Sequence, residues 1–356
     1  MDQRLGLRRP LVLAILALVV SYTVTACAPS ANRSSSPSPS QTRTGAWTPQ
    51  VSDTSSYLNE VYFVDADNGW VVGTGGTILH TTNGGSTWRS QTSGTRALLW
   101  SVCFVDSSTG WAVGGSVNAG TRGIVLKTTD GGDTWMPQTS GTTAALTSVY
   151  FIDAKHGWAV GAKNNDPRLS GCILRTVDGG TTWSQELIDK HRRFHDVCFV
   201  NPSTGWVVGD GTIRKTTDGG LTWQEQSSNP GNSAFLSSVC FLDAEIGWVS
   251  NGNGVVLKTT DGGSTWTRTR LDAIWLSSVF FVDARHGWAV GGVPQQADPT
   301  ILASSDGGAT WHDEHVALPN LILNAVFGVS QGSVWAVGES TTEQGVDSGA
   351  ILRASW

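Results

Sequence analysis

From Leu58 onward the chain alternates apolar and polar residues in short bursts, and the bursts come in sets of four. One set runs Leu236-Ser-Ser-Val239-Cys-Phe-Leu-Asp243, Gly247-Trp248-Val249, Val255-Val256-Leu257-Lys258 and Ser264-Thr265-Trp266. Alternation with period two marks a strand with unlike faces, and the Gly, Asp and Asn between bursts are the residues of tight turns. No long stretch carries the 3.6-residue period of a helix. Each set therefore predicts four short antiparallel strands, and the fold class is all-β.

The sets are copies of one unit. The phrase Thr128-Thr129-Asp130-Gly131-Gly132-Asp133-Thr134-Trp135 recurs with small edits, its copies ending at Trp88, Trp135, Trp183, Trp223, Trp266 and Trp311, 40 to 48 residues apart. Four strands at that period describe a propeller blade. Within the phrase, Asp130 is expected to accept backbone N–H groups across a turn, and Gly131 and Gly132 to supply positive φ. The Trp, with about 150 to 250 Å² to bury, reads as core. A second phrase places Asp65, Asp106, Asp153, Asn201, Asp243 and Asp283 before the Gly-Trp pairs from Gly69-Trp70 to Gly287-Trp288. It predicts a hairpin that Asp initiates, with Gly in the left-handed region.

Val334-Trp335 makes a seventh second strand, yet only six Asp-Gly-Gly phrases exist. The chain stops in a third strand, Ile351 to Trp356, while Gly45 to Gln50 resembles Ser86 to Gln91 with no strand before it. The two ends complete each other. Residues 45–356 are thus expected to form a seven-bladed β-propeller of four-stranded blades, the last blade closed by the N-terminal strand.

The preceding residues do not fit this pattern. Arg4, Arg8 and Arg9 lead the apolar run Leu11 to Val20, followed by Val24-Thr25-Ala26-Cys27. Residues 1–26 are read as an export signal, and the small residues before Cys27 resemble a bacterial lipobox, which makes Cys27 the lipidation site. An ordinary signal peptide followed by a chance Cys is the alternative. Residues 27–44, rich in Ser and Pro, form a tether, reaching about 50 Å at roughly 3.1 Å per residue. The expected location is the outer side of the cytoplasmic membrane, or the outer membrane or cell surface, with the membrane contacted through the lipid.

The formal net charge is −6, and nucleic acid is not an expected partner. Cys103, Cys198 and Cys240 occupy one repeat position, where their Cβ vectors do not oppose one another, so they read as buried thiols. Cys172 has no obvious partner. Paired Cys or His at ligand spacing are absent, so no metal and no cofactor are expected.

Function is sought where the repeat is irregular. One face carries short uniform turns; the other carries the long connections Gly115 to Gly123, Lys163 to Gly171, Val293 to Thr300 and Gly338 to Gly349. On that face a repeated Leu or Phe plug opens each inner strand, from Leu58 to Leu323, while its neighbours vary. Tyr57, Trp100, Arg192, Arg193, His195, Phe235 and Trp275 are expected to stand exposed around the channel mouth as the partner-binding residues. Local packing beneath the long loops is the alternative. His80, Lys127, Arg175, Lys215, Lys258 and Arg353 share one strand position, expected to be solvated or Asp-paired.

No catalytic residue is assigned. A sialidase-like glycoside hydrolase needs an Arg triad and an activated Tyr with a Glu partner, and only four Tyr exist. Asp166, Asp298, Glu339 and Asp347 read as solvated loop charges. The rim aromatics would also serve a carbohydrate-binding propeller, which keeps a glycan as an alternative ligand.

The Gly-Trp-Ala/Val-Val-Gly and Leu-Lys-Thr-Thr-Asp-Gly-Gly-Ser-Thr-Trp strings resemble Asp-box (BNR-like) propeller repeats, in particular those of the photosystem II assembly and stability factors of cyanobacteria and plants. The likeness spans residues 45–356. It implies a lumenal or periplasmic seven-bladed scaffold that binds a membrane-protein partner without catalysis. That family relies on an Arg-rich patch; here Arg192, Arg193 and Arg214 are the nearest thing to one, and no binding residue is carried over. The combined expectation is a lipid-anchored, exported, non-enzymatic scaffold for a protein or peptide.

Overall fold

Each repeated set forms a four-stranded antiparallel sheet in the computed structural model, which describes residues 46–115, 123–163, 170–226, 235–271, 275–292, 299–341 and 347–355. Blade one comprises Leu58–Phe63, Gly69–Gly73, Ile78–Thr81 and Arg89–Gln91, from the channel outward. Five more blades repeat this order. The seventh takes Leu321–Ser330, Ser333–Thr341 and Asp347–Ser355 from the end of the chain, and Ala46–Gln50 from its start. Trp47 pairs with Ala354 and Gln50 with Ile351, so the ring is closed as the repeat count requires. Cys27, the signal segment and the tether lie outside the described residues.

The Asp phrase behaves as its chemistry dictates. Asp130 Oδ1 accepts the Thr134 N–H at 2.9 Å, Oδ2 accepts the Thr134 hydroxyl at 2.6 Å, and Thr128 Oγ1 accepts the Gly132 N–H at 2.8 Å. Gly131 and Gly132 take φ of 72° and 93°, which a side chain would strain. The hydrogen bonds from Thr134 hold the Asp130 carboxyl down at about 2.

What the phrase is for becomes clear only between blades. In six of the seven blades the Trp of the second strand lies flat on the last Phe of the next inner strand, as Trp111 does on Phe151 at 3.5 Å and Trp158 on Phe199 at 3.4 Å. Its indole N–H reaches a Gly carbonyl in the next blade's Asp phrase: Trp70 to Gly131, Trp111 to Gly179, Trp158 to Gly219, Trp206 to Gly262 and Trp248 to Gly307, at 2.9 to 3.1 Å. Trp335 closes the circle on Gly84 at 3.1 Å and stacks on Phe63. The outer-strand Trp meets the same Phe edge-on, as Trp135 meets Phe104. Stacked and edge-to-face pairs add about 0.5 to 1.5 kcal/mol each beyond their buried area.

Two expectations are corrected by this arrangement. The Gly before each second-strand Trp is not left-handed, since positive φ is confined to other glycines. It is there for clearance: a Cβ at Gly69 would stand 2.4 Å from the Phe63 ring, and the same clash recurs at Gly157 with Phe151. The shared basic position is neither solvated nor Asp-paired. Lys127 Nζ lies 5.2 Å over the Trp111 ring and donates to Gly179 O at 2.9 Å, and Lys215, Lys258 and Arg353 cover their own blades' Trp rings likewise. A cation over an indole face is attracted by the ring quadrupole. His80 fills the position in blade one by stacking on Trp70 at 4.6 Å.

Cys103, Cys172, Cys198 and Cys240 are buried thiols outside any disulfide, as expected. Burial pushes the Cys103 thiol up to about 12 and the Cys172 thiol to about 11.

The junction of blades six and seven departs from the rule. In blade seven the Phe position is Gly328 and the Gly position opposite it is Val334, a large-for-small exchange within one cross-strand pair. Blade seven also has no Asp phrase, so neither the stacked Phe nor the Gly carbonyl is supplied there to Trp288. A different contact spans the junction: Trp47 Nε1 donates to Glu314 Oε2 at 2.9 Å. In blades seven and one the same place holds Gln, with Trp88 donating to Gln50 at 3.3 Å and Trp135 to Gln91 at 3.2 Å. Burial pushes the Glu314 carboxyl up to about 7 against the pull of Trp47, and Asp313 pushes it further.

Because this folded-state value lies above the unfolded one of about 4.3, Glu314 favours the fold at low pH, and that contribution is lost as pH rises toward 7. Glu314→Gln should therefore melt higher than the parent at pH 8, by about 2 °C or more, and like the parent near pH 4. Thermal melts across that range check it. A chain starting at Val51 should melt lower and less cooperatively than one starting at Ala46, since it leaves the Asp347–Ser355 edge unpaired; calorimetry on the two truncations decides.

Candidate functional site

The variable face is built at the top of each inner strand by a bulge. Leu58 pairs with Gly73 but Glu60 with Val72, so Asn59 is the extra residue, and the same shift recurs in the other blades. The residue ahead of the plug is then pinned by its carbonyl. Tyr57, Leu98, Arg193, Phe235 and Trp275 accept the N–H of Thr74, Gly115, Asp210, Gly252 and Gly292 at 2.9 to 3.3 Å. The chain passes so close that a Cβ at Gly73 would sit 2.1 Å from Tyr57 O, and one at Gly209 1.9 Å from Arg193 O. This second glycine therefore has a packing cause as well.

The residue after the plug turns inward. Asn59 Nδ2 donates to Leu99 O at 2.8 Å, Thr147 Oγ1 to Phe194 O at 3.0 Å, Ser237 Oγ to Leu276 O at 2.9 Å and Asn324 Nδ2 to Leu58 O at 2.8 Å. Each links one inner strand to the next. Trp100 and His195 hold this position in blades two and four and are 3% and 1% exposed, which corrects the expectation that they stand out on the rim. The bulge aims their side chains along the channel wall instead of out of its mouth.

One step further in, Ser101, Asp196 and Ser278 accept the N–H of Val149, Val239 and Val326 across the blade gaps, at 3.2, 2.8 and 3.3 Å. Sequence reasoning missed the two carboxylates of this ring. Asp196 also takes the Ser148 hydroxyl at 3.0 Å and its neighbour's N–H at 2.7 Å. Glu60 accepts the Val61 N–H, and burial together with the nearby Asp196 pushes its carboxyl well above the ordinary range. The available signal was an acidic residue at a position that is Ser in four other copies.

The side chains ahead of the plug are the ones that reach solvent. Tyr57, Arg193, Phe235 and Trp275 are all half-buried. Three consecutive blades bring candidates together: His195 lies 4.3 Å from the Phe235 ring, and Phe235 5.3 Å from Trp275. Arg193 forks onto Asp210, Nε to Oδ2 at 2.7 Å and Nη2 to Oδ1 at 3.3 Å, while His195 Nε2 meets Oδ1 at 2.9 Å. Burial opposes ionisation of Asp210, but the hydrogen bonds and charges of His195 and Arg193 outweigh it and hold the carboxyl far below its usual range. Burial lowers the His195 value in spite of Asp210.

Arg192 pairs with Glu225 and Arg214 with Asp189, so each member of the Arg cluster meets a carboxylate. Tyr57 and Trp100 belong to blades one and two, outside this arc. Of the loop carboxylates, Asp166 and Asp298 lie outside the described residues, as does the side chain of Asp347; Glu339 is half-buried in the second strand of blade seven. Among the described residues no group of three or more His, Cys, Asp and Glu could hold a metal ion, and no helix is long and apolar enough to cross a membrane.

The family described as photosynthesis system II assembly factor YCF48 matches residues 39–139 and 186–276, more than half of the chain. Among solved structures, YCF48 bound to D1 peptide is 19% identical with a TM-score of 0.66, covering 92% of this chain and 99% of that one. YCF48 from Cyanidioschyzon merolae is 19% identical with a TM-score of 0.63, covering 86% and 98%. The GH74 xyloglucanase from Xanthomonas campestris is 11% identical with a TM-score of 0.64, covering 86% of this chain and 55% of that one. At these identities the structures share the fold. A search among curated proteins found no match. By the match to its repeats and by the seven-bladed ring they build, the chain belongs to the photosystem II assembly factor YCF48 family.

Proposed function

We propose that this protein is a lipid-anchored, exported, non-enzymatic scaffold that holds a protein or peptide partner on its variable face, in the manner of a photosystem II assembly factor. The observation that carries the reading is the run of Arg193, His195, Phe235 and Trp275 across three consecutive blades, on backbone fixed by carbonyl contacts. Rigid aromatics and Arg on a regular scaffold are the residues that dominate protein recognition. The solved YCF48 bound to D1 peptide supports a peptide as ligand. Tyr57, Trp100 and Arg192 extend the site, Trp100 from below the surface.

Cys27 anchors the domain through lipid, and residues 27–44 let it reach a membrane-protein partner. The xyloglucanase shares the ring at 11% identity, a likeness that carries the fold and no catalytic residue to this chain.

Cys27→Ser should release the protein from the membrane fraction of expressing bacteria and abolish incorporation of an alkyne-labelled fatty acid, with the folded domain intact in the soluble fraction. Trp275→Ala should cut capture of partner from detergent-solubilised membranes by about tenfold or more and leave the melting temperature unchanged. Trp266→Ala, which removes a core ring packed on Phe241, should instead lower stability by about 3 to 5 kcal/mol in urea titrations.

A further inference from the structure

We propose that the channel mouth recognises an uncharged, apolar stretch of the partner peptide and not an acidic one; the inference rests on the reading of this face as the partner site. Of the seven residues ahead of the plugs, six are apolar: Tyr57, Leu98, Ala145, Phe235, Trp275 and Ile322. All of these except Ala145 are part-exposed, and they form a collar whose backbone is pinned. Beneath them the plugs are fully buried from Leu58 to Leu323, and the residues after the plugs are at most 7% exposed. An occupant therefore lies across the collar and does not descend the channel.

The seventh member is the cation Arg193, and its charge is already paired with Asp210, which His195 also contacts. Arg192 and Arg214, nearby on blades three and four, face Glu225 and Asp189. A carboxylate arriving here would have to break up one of these pairs and would meet the charge of the acid it displaced, a juxtaposition that costs affinity. An apolar side chain meets neither penalty. It also meets surface ordered in advance: Trp275 lies over Gly252, where a Cβ would be 2.6 Å from the ring, and its other neighbour is Phe235 at 5.3 Å. Rings held this way lose little freedom on binding, so the contact area is converted to affinity with small entropic loss.

The test uses the full chain and an array of blocked dodecapeptides of Gly and Ser whose central four positions are Leu/Phe, Asp/Glu, Lys/Arg or Ser. The Leu/Phe series should bind about tenfold or more above the others. Its affinity should not fall between about 50 and about 500 mM NaCl, because apolar contact is not screened. Trp275→Ala and Ile322→Ser should each remove it with melting unchanged. Preferential binding of the Asp/Glu series, weakening with salt and still lost in Trp275→Ala, would overturn the apolar recognition while leaving the face as the partner site. So would the failure of every series alongside undiminished capture of the native partner, or binding of neutral oligosaccharides alone. Peptide binding and native capture both indifferent to Trp275→Ala and Ile322→Ser would overturn the inference and the partner face together.

Discussion

A single indole in six of the seven blades carries the ring. Trp111 is bound on three sides at once: its face to Phe151 of the next blade, its N–H to the Gly179 carbonyl, and its other surroundings to Lys127, which donates to that same carbonyl. A carbonyl so placed exists only because the Asp phrase folds its two glycines into positive φ, and the stacking distance is reached only because Gly157 carries no Cβ against Phe151. The Asp phrase, the Gly-Trp pair, the terminal Phe and the basic residue are therefore components of one joint. Changing any of them loosens two blades, which is why the repeat tolerates so little variation at these four places and so much elsewhere.

The joint needs a Phe and an Asp phrase on the receiving blade, and blade seven has neither. That blade is also where the two ends of the chain meet. Closure at its outer edge depends on five residues pairing with the last strand, and closure at its flank on Trp47 meeting Glu314. The exchange of Phe and Gly for Gly328 and Val334 keeps the cross-strand volume filled inside blade seven, but it moves bulk away from the place where a neighbouring Trp would stack. The sixth junction thus lacks the stacked Trp–Phe pair that the other six have, and its described contacts include the tilted Phe280–Phe327 rings and the titratable Trp47–Glu314 hydrogen bond.

The architecture was legible because it repeats. Strand pattern, blade count and the donated N-terminal strand all follow from Trp positions and from two incomplete ends that match. What was illegible was the reason for each recurring small residue. A Gly before Trp70 looks like a turn glycine in one dimension, and only the Phe63 ring across the strand pair shows that it is a clearance. Lys127 looked like a surface charge because its indole partner is sixteen residues away and the carbonyl beyond it is in another blade. At the candidate site, the sequence identified the odd residues around the plugs but could not place the bulge. Without it, Trp100 and His195 counted as rim residues equal to Phe235 and Trp275, although one residue of register sends the first pair into the wall and leaves the second pair at the surface.

The bulge also explains how a ring built of nearly identical units can acquire a site at all. Inside it, successive positions of the inner strands are committed: the plug to packing in all seven, the next residue to a neighbour's carbonyl in four, and the one after to a neighbour's N–H in three. These bonds satisfy inner-strand edges that no further strand covers, so exchanging those residues would leave buried backbone groups unpaired, at about 1 to 3 kcal/mol each. The residue ahead of the plug has only its backbone committed to the ring. Its side chain varies from Tyr57 through Ala145 to Arg193 and Trp275 without disturbing a single inter-blade bond, and it stands at the channel mouth in all seven copies. Variation and exposure coincide there because the hydrogen bonding of the inner edge leaves that position, and little else on the inner strands, unconstrained.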